Sequence, residues 1–255
     1  MMLLNGKVGI VYGLANRHSL AWHITKALSA AGARLVITYQ HERFAPKLKK
    51  LLENLNSTPL MLPCDLTDDA QIENVYKQIK KEFPRLDFIV HSVAYANKED
   101  LMGQFVETSR EGFNLALETS AYSLIAVTRP AIPLMTDGGS IVTLSYLGSQ
   151  RVIPNYNVMG VAKSALESSV RYLAHDLGEQ GIRINALSPG PVNTLSARGI
   201  KGFTGFLHHV GENAPLRRNT EGSDVGNAAL FLASDLSKGI TGETIFVDAG
   251  YHTKG

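Results

Sequence analysis

The stretch that decides the fold is KVGIVYGLANRHSLAWHITKALSAAGARLVITY, residues 7–39. It begins with a short apolar run at 7–13 and ends with another at 34–39, and each predicts a buried strand. The segment between them has a helical pattern, with Ser19 as its N-cap and Gly32 as its stop. Strands joined through a helix favour a right-handed βαβ crossover, so this stretch predicts a parallel sheet covered by helices.

The same alternation of apolar runs and helical patterns continues along the chain. Further strands are predicted at 58–65, 87–94, 139–146, 182–190 and 243–250. Helices are predicted at 42–55, 68–83, 109–136, 155–180 and 221–234. No linker or repeat interrupts this order, so we expect one α/β domain over residues 1–255. Its fold would be a single doubly wound, Rossmann-type parallel sheet with helices on both faces.

The bulk composition argues against several classes of function. An apolar fraction of 44% suffices for a substantial core, and a net charge of +2 argues against nucleic acid as the main partner. No stretch of about 20 apolar residues could span a membrane, and no basic leader precedes the first apolar run. The one cysteine, Cys64, cannot form an intrachain disulfide, and His208-His209 lacks partners for a metal. We therefore expect a cytoplasmic protein with no membrane span and no metal.

In open parallel sheets, ligands bind beyond the carboxyl ends of the strands. At the first strand end, Gly13 permits a tight turn, and the helix after Ser19 would point its N–H groups at an anion. The usual glycine-rich patterns are missing, and an ordinary strand-to-helix turn would also explain these two residues. At the second strand end, Gln40 is neither an acid for the ribose of NAD nor a base for the phosphate of NADP, although His41 and Arg43 are near. These two ends alone give a weak signal.

The later strand ends add residues of the same kind. In the CDL motif at 64–66, Asp65 could accept a hydrogen bond from an adenine amino group while Leu66 packs against the ring. The alternative is a plain helix N-cap at Asp65 or Asp68. After the sixth strand, a Pro-Gly-Pro turn leads to Thr194, whose hydroxyl can reach an amide or a phosphate. A dinucleotide is the ligand that spans several such ends, so their combination predicts a dinucleotide site.

The stretch SYLGSQRVIPNYNVMGVAK, residues 145–163, carries the candidate catalytic residues. Nucleotide-dependent dehydrogenases often place a tyrosine four residues before the lysine, but Met159 stands there, and Tyr156 lies seven residues before Lys163. Both spacings lie near one helix face, and the longer one gives roughly 10 Å of axial rise instead of roughly 6 Å. Tyr146, at the end of the fifth strand, would lie close by. The alternative is a pair of half-buried core tyrosines beside an unrelated lysine.

The longer spacing suits a particular reaction. In carbonyl reduction, the acid protonates the oxygen on the carbon that accepts the hydride. In reduction of an α,β-unsaturated thioester, hydride adds to the β-carbon and negative charge develops on the more distant carbonyl oxygen, where a displaced tyrosine would stabilise it. We therefore predict enoyl thioester reduction, with Tyr156 facing that oxygen, Tyr146 shaping the site and Lys163 holding ribose hydroxyls. The rival hypotheses are a carbonyl-acting dehydrogenase and a non-catalytic NAD(P)-binding regulator.

Residues 190–220 interrupt the alternation, since they are long, rich in glycine and follow a strand end. Loops of this length in compact domains are usually functional. Phe203, Phe206 and Leu207 fall at helical spacing, and we favour a flexible lid over an acyl chain rather than a small satellite core. We therefore assign Phe203, together with Met159, to the substrate side of the site.

Residues 145–163 and IRINALSPGPVNTLSARGIKGF, residues 182–203, resemble the signature of bacterial enoyl-[acyl-carrier-protein] reductases, which are divergent short-chain dehydrogenases/reductases. The resemblance covers essentially the whole chain. It implies that Tyr156 and Tyr146 are the active-site tyrosines, that Lys163 binds the nicotinamide ribose and that Ala96 contacts substrate. The other cofactor positions that it implies are Gly13, Ser19, Leu20, Gln40, Asp65, Leu66, Val93, Val192, Asn193, Thr194, Leu195 and Ser196.

The resemblance also implies a cofactor, a partner and an assembly. We expect NAD(H), with NADP(H) disfavoured because Gln40 is not basic, and a substrate carried on acyl carrier protein in the last step of fatty-acid elongation. The family usually forms homotetramers. Two departures are Ala94, where some members have Gly, and the segment 201–206, in which only Lys201 is basic. Carrier docking would then be weaker or use other basic residues, namely Arg198, Arg217 or Arg218.

Overall fold

The structure, a computed structural model, describes residues 2–194 and 202–254. Its centre is one parallel sheet with the strand order β3-β2-β1-β4-β5-β6-β7. This confirms the predicted Rossmann-type arrangement, in which the chain builds outward from the central β1 and then continues on its other side. The strands are β1 Val8–Tyr12, β2 Arg34–Tyr39, β3 Leu60–Pro63, β4 Phe88–His91, β5 Gly139–Leu144, β6 Ile182–Pro189 and β7 Thr244–Val247.

Helices pack against both faces of this sheet, as predicted. Within the described residues, no helix is both long and apolar enough to cross a membrane. The described α-helices are α1 Leu20–Ala30, α2 Ala45–Leu52, α3 Asp69–Glu82, α4 Lys98–Leu101, α5 Arg110–Leu117, α6 Ser123–Ala131, α7 Asn157–Leu177, α8 Phe203–Asn213 and α9 Gly222–Ala233.

The central strands are buried on both faces, which explains why their sequences are almost continuously apolar. Ile10 of β1 belongs to a core cluster with residues of α3, α6 and α7, whereas its neighbour Val11 belongs to a cluster with residues of α1 and α9. Successive side chains of a strand point to opposite faces. Each strand therefore joins the two helix layers, and the strand ends are held in fixed positions at one edge of the sheet.

Short polar side chains begin the helices at this edge. Ser19 caps α1 by accepting a hydrogen bond from the backbone N–H of Trp22 at 3.3 Å, as predicted, and Gly32 follows the helix with φ of +93°. Asp68 caps α3 by accepting from two backbone N–H groups of its first turn. The alternative that Asp65 caps this helix is therefore wrong, and the Asp65 carboxylate remains at the end of β3.

Three helical segments differ from their predictions. A π-helical turn at Glu118–Tyr122 interrupts the helix predicted at 109–136 and separates α5 from α6. The helix predicted at 155–180 begins two residues later, at Asn157. The loop predicted at 190–220 contains the eleven-residue helix α8, where Phe203, Phe206 and Leu207 fall at helical spacing. Glycines within α8 lower its intrinsic helix propensity, so the sequence pattern predicted a loop there despite that spacing.

The tight turn after β1 requires a glycine at position 13 for two reasons, one conformational and one steric. Gly13 has φ of +88°, and a Cβ added there would overlap the carbonyl oxygen of Ser92 at the end of β4. Gly6 has a similar φ of +76° but open space around it. Gly13→Ala should lower the free energy of unfolding by about 2–4 kcal/mol, and Gly6→Ala by only about 1–2 kcal/mol. Both substitutions introduce backbone strain, but only Gly13→Ala also introduces a steric overlap.

Urea unfolding of the cofactor-free protein measures both changes. Equal losses for Gly13→Ala and Gly6→Ala would contradict the close approach of β1 to β4.

Candidate active site

The first strand end forms a turn built by its own polar groups. The Ser19 hydroxyl donates to the Asn16 carbonyl at 2.7 Å, and the Asn16 side chain accepts from the backbone N–H of His18 at 2.8 Å. Leu20 follows as the first residue of α1, so the N-terminus of this helix opens at the carboxyl edge of the sheet. Because Gly13 has no Cβ, the chain can turn tightly past the Ser92 carbonyl before it enters α1. This geometry fits a dinucleotide phosphate.

The ends of β2 and β3 are linked through Asp65. One carboxylate oxygen accepts from the Gln40 amide at 3.1 Å, and the other accepts from the backbone N–H and hydroxyl of Thr67 at 3.0 and 2.8 Å. Partial burial by itself would raise the pKa of Asp65, but the hydrogen bonds from Thr67 and Gln40 outweigh it and lower that pKa. Leu66 is buried beside it. The end of β3 therefore carries an ionised hydrogen-bond acceptor at the carboxyl edge of the sheet.

Two side-chain contacts follow the end of β2. The Arg43 guanidinium lies 4.9 Å from the centre of the Phe44 ring, an arrangement typical of a cation–π contact. The Tyr39 hydroxyl in turn donates to the Glu42 carboxylate at 3.0 Å. These contacts engage Arg43 and Glu42, while position 40 itself carries the neutral Gln40 side chain.

A buried histidine ties the end of β4 to its neighbours. His91 Nδ1 lies 2.9 Å from the Thr143 hydroxyl of β5, and its Nε2 lies 2.8 Å from the Ser123 hydroxyl at the start of α6. Burial, and secondarily the charge of Lys163, lower the pKa of His91 to about 3. The imidazole is therefore neutral at physiological pH, and it acts as a hydrogen-bonded link between β4, β5 and α6.

The π-helical turn positions the segment that follows β4. Its Ser120 hydroxyl donates to the Tyr95 carbonyl at 3.1 Å and accepts from the Tyr95 N–H at 3.0 Å. π-Helical turns inside α-helices are frequent at functional sites. These two hydrogen bonds fix the backbone at Tyr95. That residue lies between Val93, which packs against the core, and Ala96, which is half-buried. The sequence pattern contained no signal for this contact.

The two candidate tyrosines pack directly against each other. Tyr146 follows β5 and Tyr156 precedes α7, and their ring centroids are 4.9 Å apart with an interplanar angle of 65°. Gly148 makes this possible, because a Cβ there would lie only 2.5 Å from a ring carbon of Tyr156. Burial raises the pKa of both phenols well above its usual value. Both hydroxyls are therefore protonated hydrogen-bond donors across the physiological pH range.

A tight turn, rather than the helix itself, sets the position of Tyr156. The prediction placed this residue inside the helix, but it is the residue immediately before α7. Its neighbours Asn155 and Asn157 both have positive φ, at 63° and 33°. Asparagine tolerates this backbone conformation better than most residues. The turn directs Tyr156 toward Tyr146, while Met159, at the position of the more common tyrosine, is buried in the first turn of α7.

Lys163 lies within the protein at the end of β5. Its side chain is only 4% exposed, and its ammonium donates to the Leu144 carbonyl at 2.6 Å. Burial lowers the pKa of Lys163 to about 8, although the Glu167 carboxylate one turn later partly offsets this effect. An ammonium has three N–H donors, and this bond uses one of them. The sequence prediction that Tyr146, Tyr156 and Lys163 converge at one strand edge agrees with this geometry.

The last two strand ends form the remaining wall. Gly190 follows β6 and packs against Thr220 and Asp248, where a Cβ would not fit. The segment then continues through Val192 and Asn193, and the Thr194 N–H donates to the Val192 carbonyl at 2.7 Å. Leu195 and Ser196, which the sequence assigned to the cofactor, lie outside the described residues.

Sequence reasoning missed Tyr251 in this wall. Its ring lies 6.2 Å, between centroids, from Phe206 of α8, and both side chains line a small cavity together with Tyr146. Phe203 is half-buried at the start of the same helix. Tyr251 follows β7, so extending the strand-end rule to the seventh strand would have found it. Among residues 2–194 and 202–254, no cluster of three or more His, Cys, Asp or Glu side chains could hold a metal ion.

Comparison with known proteins identifies relatives over the full length. Residues 13–252 match the family model described as enoyl-(acyl carrier protein) reductase. An enoyl-[acyl-carrier-protein] reductase [NADH] of Bacillus cereus is 51% identical, and the alignment covers all of both chains. A crystal structure of the Bacillus cereus enoyl-acyl carrier protein reductase with NADP+ and indole naphthyridinone superposes with a TM-score of 0.98 at 51% identity and full coverage of both chains.

A second solved structure has similar agreement. The enoyl-(acyl-carrier-protein) reductase of Anaplasma phagocytophilum, in complex with NAD, superposes with a TM-score of 0.96 at 50% identity. The superposition covers all of this chain and 97% of the Anaplasma phagocytophilum chain. The agreement therefore includes every strand end described above.

The buried ammonium of Lys163 predicts an unusual pH dependence of stability. Between about pH 8 and its ordinary pKa of 10.5, the unfolded chain holds a proton at Lys163 that the folded chain has released. Stability should therefore rise with pH in this window, and Lys163→Met should remove the rise. The difference in unfolding free energy, wild type minus variant, should increase by up to about 3 kcal/mol from pH 7 to pH 10.5.

Urea unfolding without cofactor at a series of pH values measures this difference. Lys77→Met, which removes an exposed lysine, serves as the control. A difference that stays constant with pH for Lys163→Met would contradict the lowered pKa.

Proposed function

The chain belongs to the enoyl-(acyl-carrier-protein) reductase family and reduces enoyl thioesters in fatty-acid synthesis, and we propose that Tyr156 stabilises the reacting substrate. The observation that carries this proposal is the packed tyrosine pair beside a buried lysine at the carboxyl edge of the sheet. NADH, when bound, supplies the hydride for the trans-2 double bond.

Tyr156 is the group that we assign to the substrate carbonyl oxygen. When the β-carbon accepts a hydride, negative charge develops on the thioester oxygen, and a preorganised donor lowers the energy of that state. The raised pKa of the Tyr156 phenol keeps its proton in place at neutral pH, so it donates a hydrogen bond to the oxygen. The Asn155–Asn157 turn fixes the hydroxyl before substrate arrives, which avoids a cost of reorganisation.

Tyr146 and Lys163 would support this group. The Tyr146 ring contacts Tyr156 in an edge-to-face arrangement and limits its rotation, so we propose that Tyr146 shapes the site and that Tyr156 donates the hydrogen bond to the carbonyl oxygen. Lys163 has N–H donors beyond its bond to Leu144, and we propose that these hold the nicotinamide ribose. Its positive charge also favours the developing enolate.

We propose that the strand ends form the rest of the cofactor site. Gly13, Ser19 and Leu20 would accept the pyrophosphate at the start of α1, while Asp65 and Leu66 would hold the adenine. The remaining assigned residues are Gln40, Val93, Val192, Asn193, Thr194, Leu195 and Ser196. The cofactor is NAD(H), because the names of most of the similar proteins specify NADH. Gln40, bonded to Asp65, offers no cation for a further phosphate.

We propose that the substrate lies between the tyrosine pair and α8. We assign Ala96, Met159 and Phe203 to contact with the substrate. Residues 190–220 would form a lid over the acyl chain, and α8 would be the movable wall of that lid. Acyl carrier protein presents the thioester. Arg218 is already paired with the Asp224 carboxylate at 2.6 Å, which reduces its availability for an acidic carrier surface.

We further propose a homotetramer and a cytoplasmic location. Leu166 and Val170 of α7 belong to the core, but Tyr172 on the same helix is 73% exposed, which suits a helix that packs against a second subunit. Cys64 is an unpaired, buried thiol, and burial raises its pKa to about 12. An unreactive free thiol of this kind suits a reducing compartment.

Removal of one hydroxyl tests the role of Tyr156. Tyr156→Phe should lower kcat for an enoyl thioester by about 10²–10³-fold, the usual cost of losing one oxyanion donor, with little change in NADH affinity. Tyr146→Phe should lower kcat about tenfold or less, since it retains the ring contact. Tyr172→Phe is the control, because it removes an exposed hydroxyl from the same region of sequence.

The assay follows the loss of reduced nicotinamide absorbance with crotonyl or octenoyl thioester. Turnover of ketones instead would favour the carbonyl-acting alternative. Tight NADH binding without turnover, and without any effect of Tyr156→Phe, would favour the regulator.

Cofactor choice depends on position 40 in this proposal. Gln40→Arg should raise kcat/KM for NADPH at least tenfold, because a guanidinium there can bind the 2′-phosphate. Gln40→Met removes the bond to Asp65 without adding charge, and it should leave the ratio of NADPH to NADH use nearly unchanged. Paired kinetics with both cofactors measure the ratio, and a Gln40→Arg enzyme that still rejects NADPH would sink the assignment.

A further inference from the structure

Glu167 is a buried carboxylate that the proposed mechanism leaves without a role. It lies in α7, one helical turn after Lys163, and is 6% exposed. Glutamate is almost never buried unless it is paired, because removing its charge from water is costly. The hydrogen-bond partners and neighbouring charges of Glu167 should therefore explain why its carboxylate is buried.

Two serines share one oxygen of this carboxylate. Glu167 Oε1 accepts from the Ser145 hydroxyl at 2.5 Å and from the Ser149 hydroxyl at 2.6 Å. These distances are typical of hydroxyl donors to an ionised carboxylate, which form stronger bonds than neutral pairs. Ser145 and Ser149 lie on either side of Tyr146 and Gly148, so a single oxygen fixes both ends of the segment that carries Tyr146.

Other contacts hold the same segment at its edges. The Ser145 N–H donates to the Leu187 carbonyl of β6 at 2.7 Å, and the Ser164 hydroxyl of α7 donates to the Ser149 carbonyl at 2.6 Å. These bonds fix the backbone at each end. The two bonds to Glu167 add the connection between the segment and the interior of α7, beside Lys163.

Charge gives Glu167 a second effect. The charged or titratable groups that interact with the Lys163 ammonium are Glu167 on its own helix and His91 on β4. The His91 imidazole is neutral at physiological pH. Of these groups, Glu167 alone carries a negative charge that compensates the buried ammonium.

We propose that Glu167 is a positioning residue for this active site. It orients Tyr146 against Tyr156 through Ser145 and Ser149, and it keeps the Lys163 ammonium charged next to the cofactor. The inference rests on the roles proposed above for Tyr146 and Lys163. It adds a residue that contacts neither substrate nor cofactor and acts through others.

Glu167→Gln separates the two effects in the full-length enzyme. The amide oxygen can still accept from both serines, but the charge is gone, so the pH above which NADH affinity falls should move down. If that midpoint falls by about one unit from about 8, affinity at pH 8 drops about fivefold while affinity at pH 6 stays within about twofold. NADH titration by fluorescence across pH measures this directly and needs no turnover.

Ser149→Ala tests the orienting effect with the charge intact. It should lower kcat about three- to tenfold and leave the pH midpoint of NADH binding unchanged. Ser169→Ala is the matched control, because that hydroxyl bonds the Ala165 carbonyl elsewhere on α7, and both kcat and the midpoint should match the wild type.

The outcomes separate the proposal from its alternatives. A Glu167→Gln enzyme with the wild-type midpoint, or a Ser149→Ala enzyme indistinguishable from Ser169→Ala, would overturn it. If Glu167→Gln does not fold, Ser149→Ala decides the orienting role by itself. If the wild-type protein reduces no enoyl thioester, the proposed function fails, yet the NADH titration still reports whether Glu167 sets the charge of Lys163.

Discussion

The hydrogen bond from the Lys163 ammonium to the last carbonyl of β5 is the interaction on which the site depends. A buried charge is tolerated only when it is hydrogen-bonded and compensated, so this bond and the nearby Glu167 carboxylate fix where α7 can lie. The connection between β5 and α7 must then fold within the space that remains. That connection carries both tyrosines, and their packing follows from the position of the lysine.

The position of Tyr156 illustrates how a small change in sequence can redirect a common scaffold. An apolar side chain, Met159, occupies the helical position at which the hydroxyl often stands, and it is buried. The hydroxyl is instead presented from the turn before the helix, where two asparagines adopt positive φ. A donor placed at the helix start can reach a more distant oxygen than one placed four residues before the lysine. In the proposed mechanism such a donor suits reduction of a conjugated thioester, because charge develops away from the carbon that accepts hydride.

The strand ends show how much of the site could be predicted. Gly13, Asp65 and Tyr146 were placed at this edge from their positions at strand ends, because parallel strands bring their carboxyl ends to one edge. Asp68 rather than Asp65 caps the helix, a choice between two neighbouring aspartates that the pattern left open. The π-helical turn with Ser120 and the carboxylate of Glu167 were not predicted. Both act through contacts with residues more than 15 positions away, and local periodicity carries no information about such contacts.

The sequence by itself determined the fold, since alternating apolar runs and helical patterns with capping residues at their ends permit few arrangements other than a doubly wound parallel sheet. It also determined the chemical type of the groups at the sheet edge. Only the tertiary structure decided how those groups behave. The close approach of β1 to β4 at Gly13, the packing of Tyr146 on Tyr156 across Gly148, and the lowered pKa of Lys163 all arise between segments distant in the chain. Burial and neighbouring charge set these properties, and both exist only after the chain has folded.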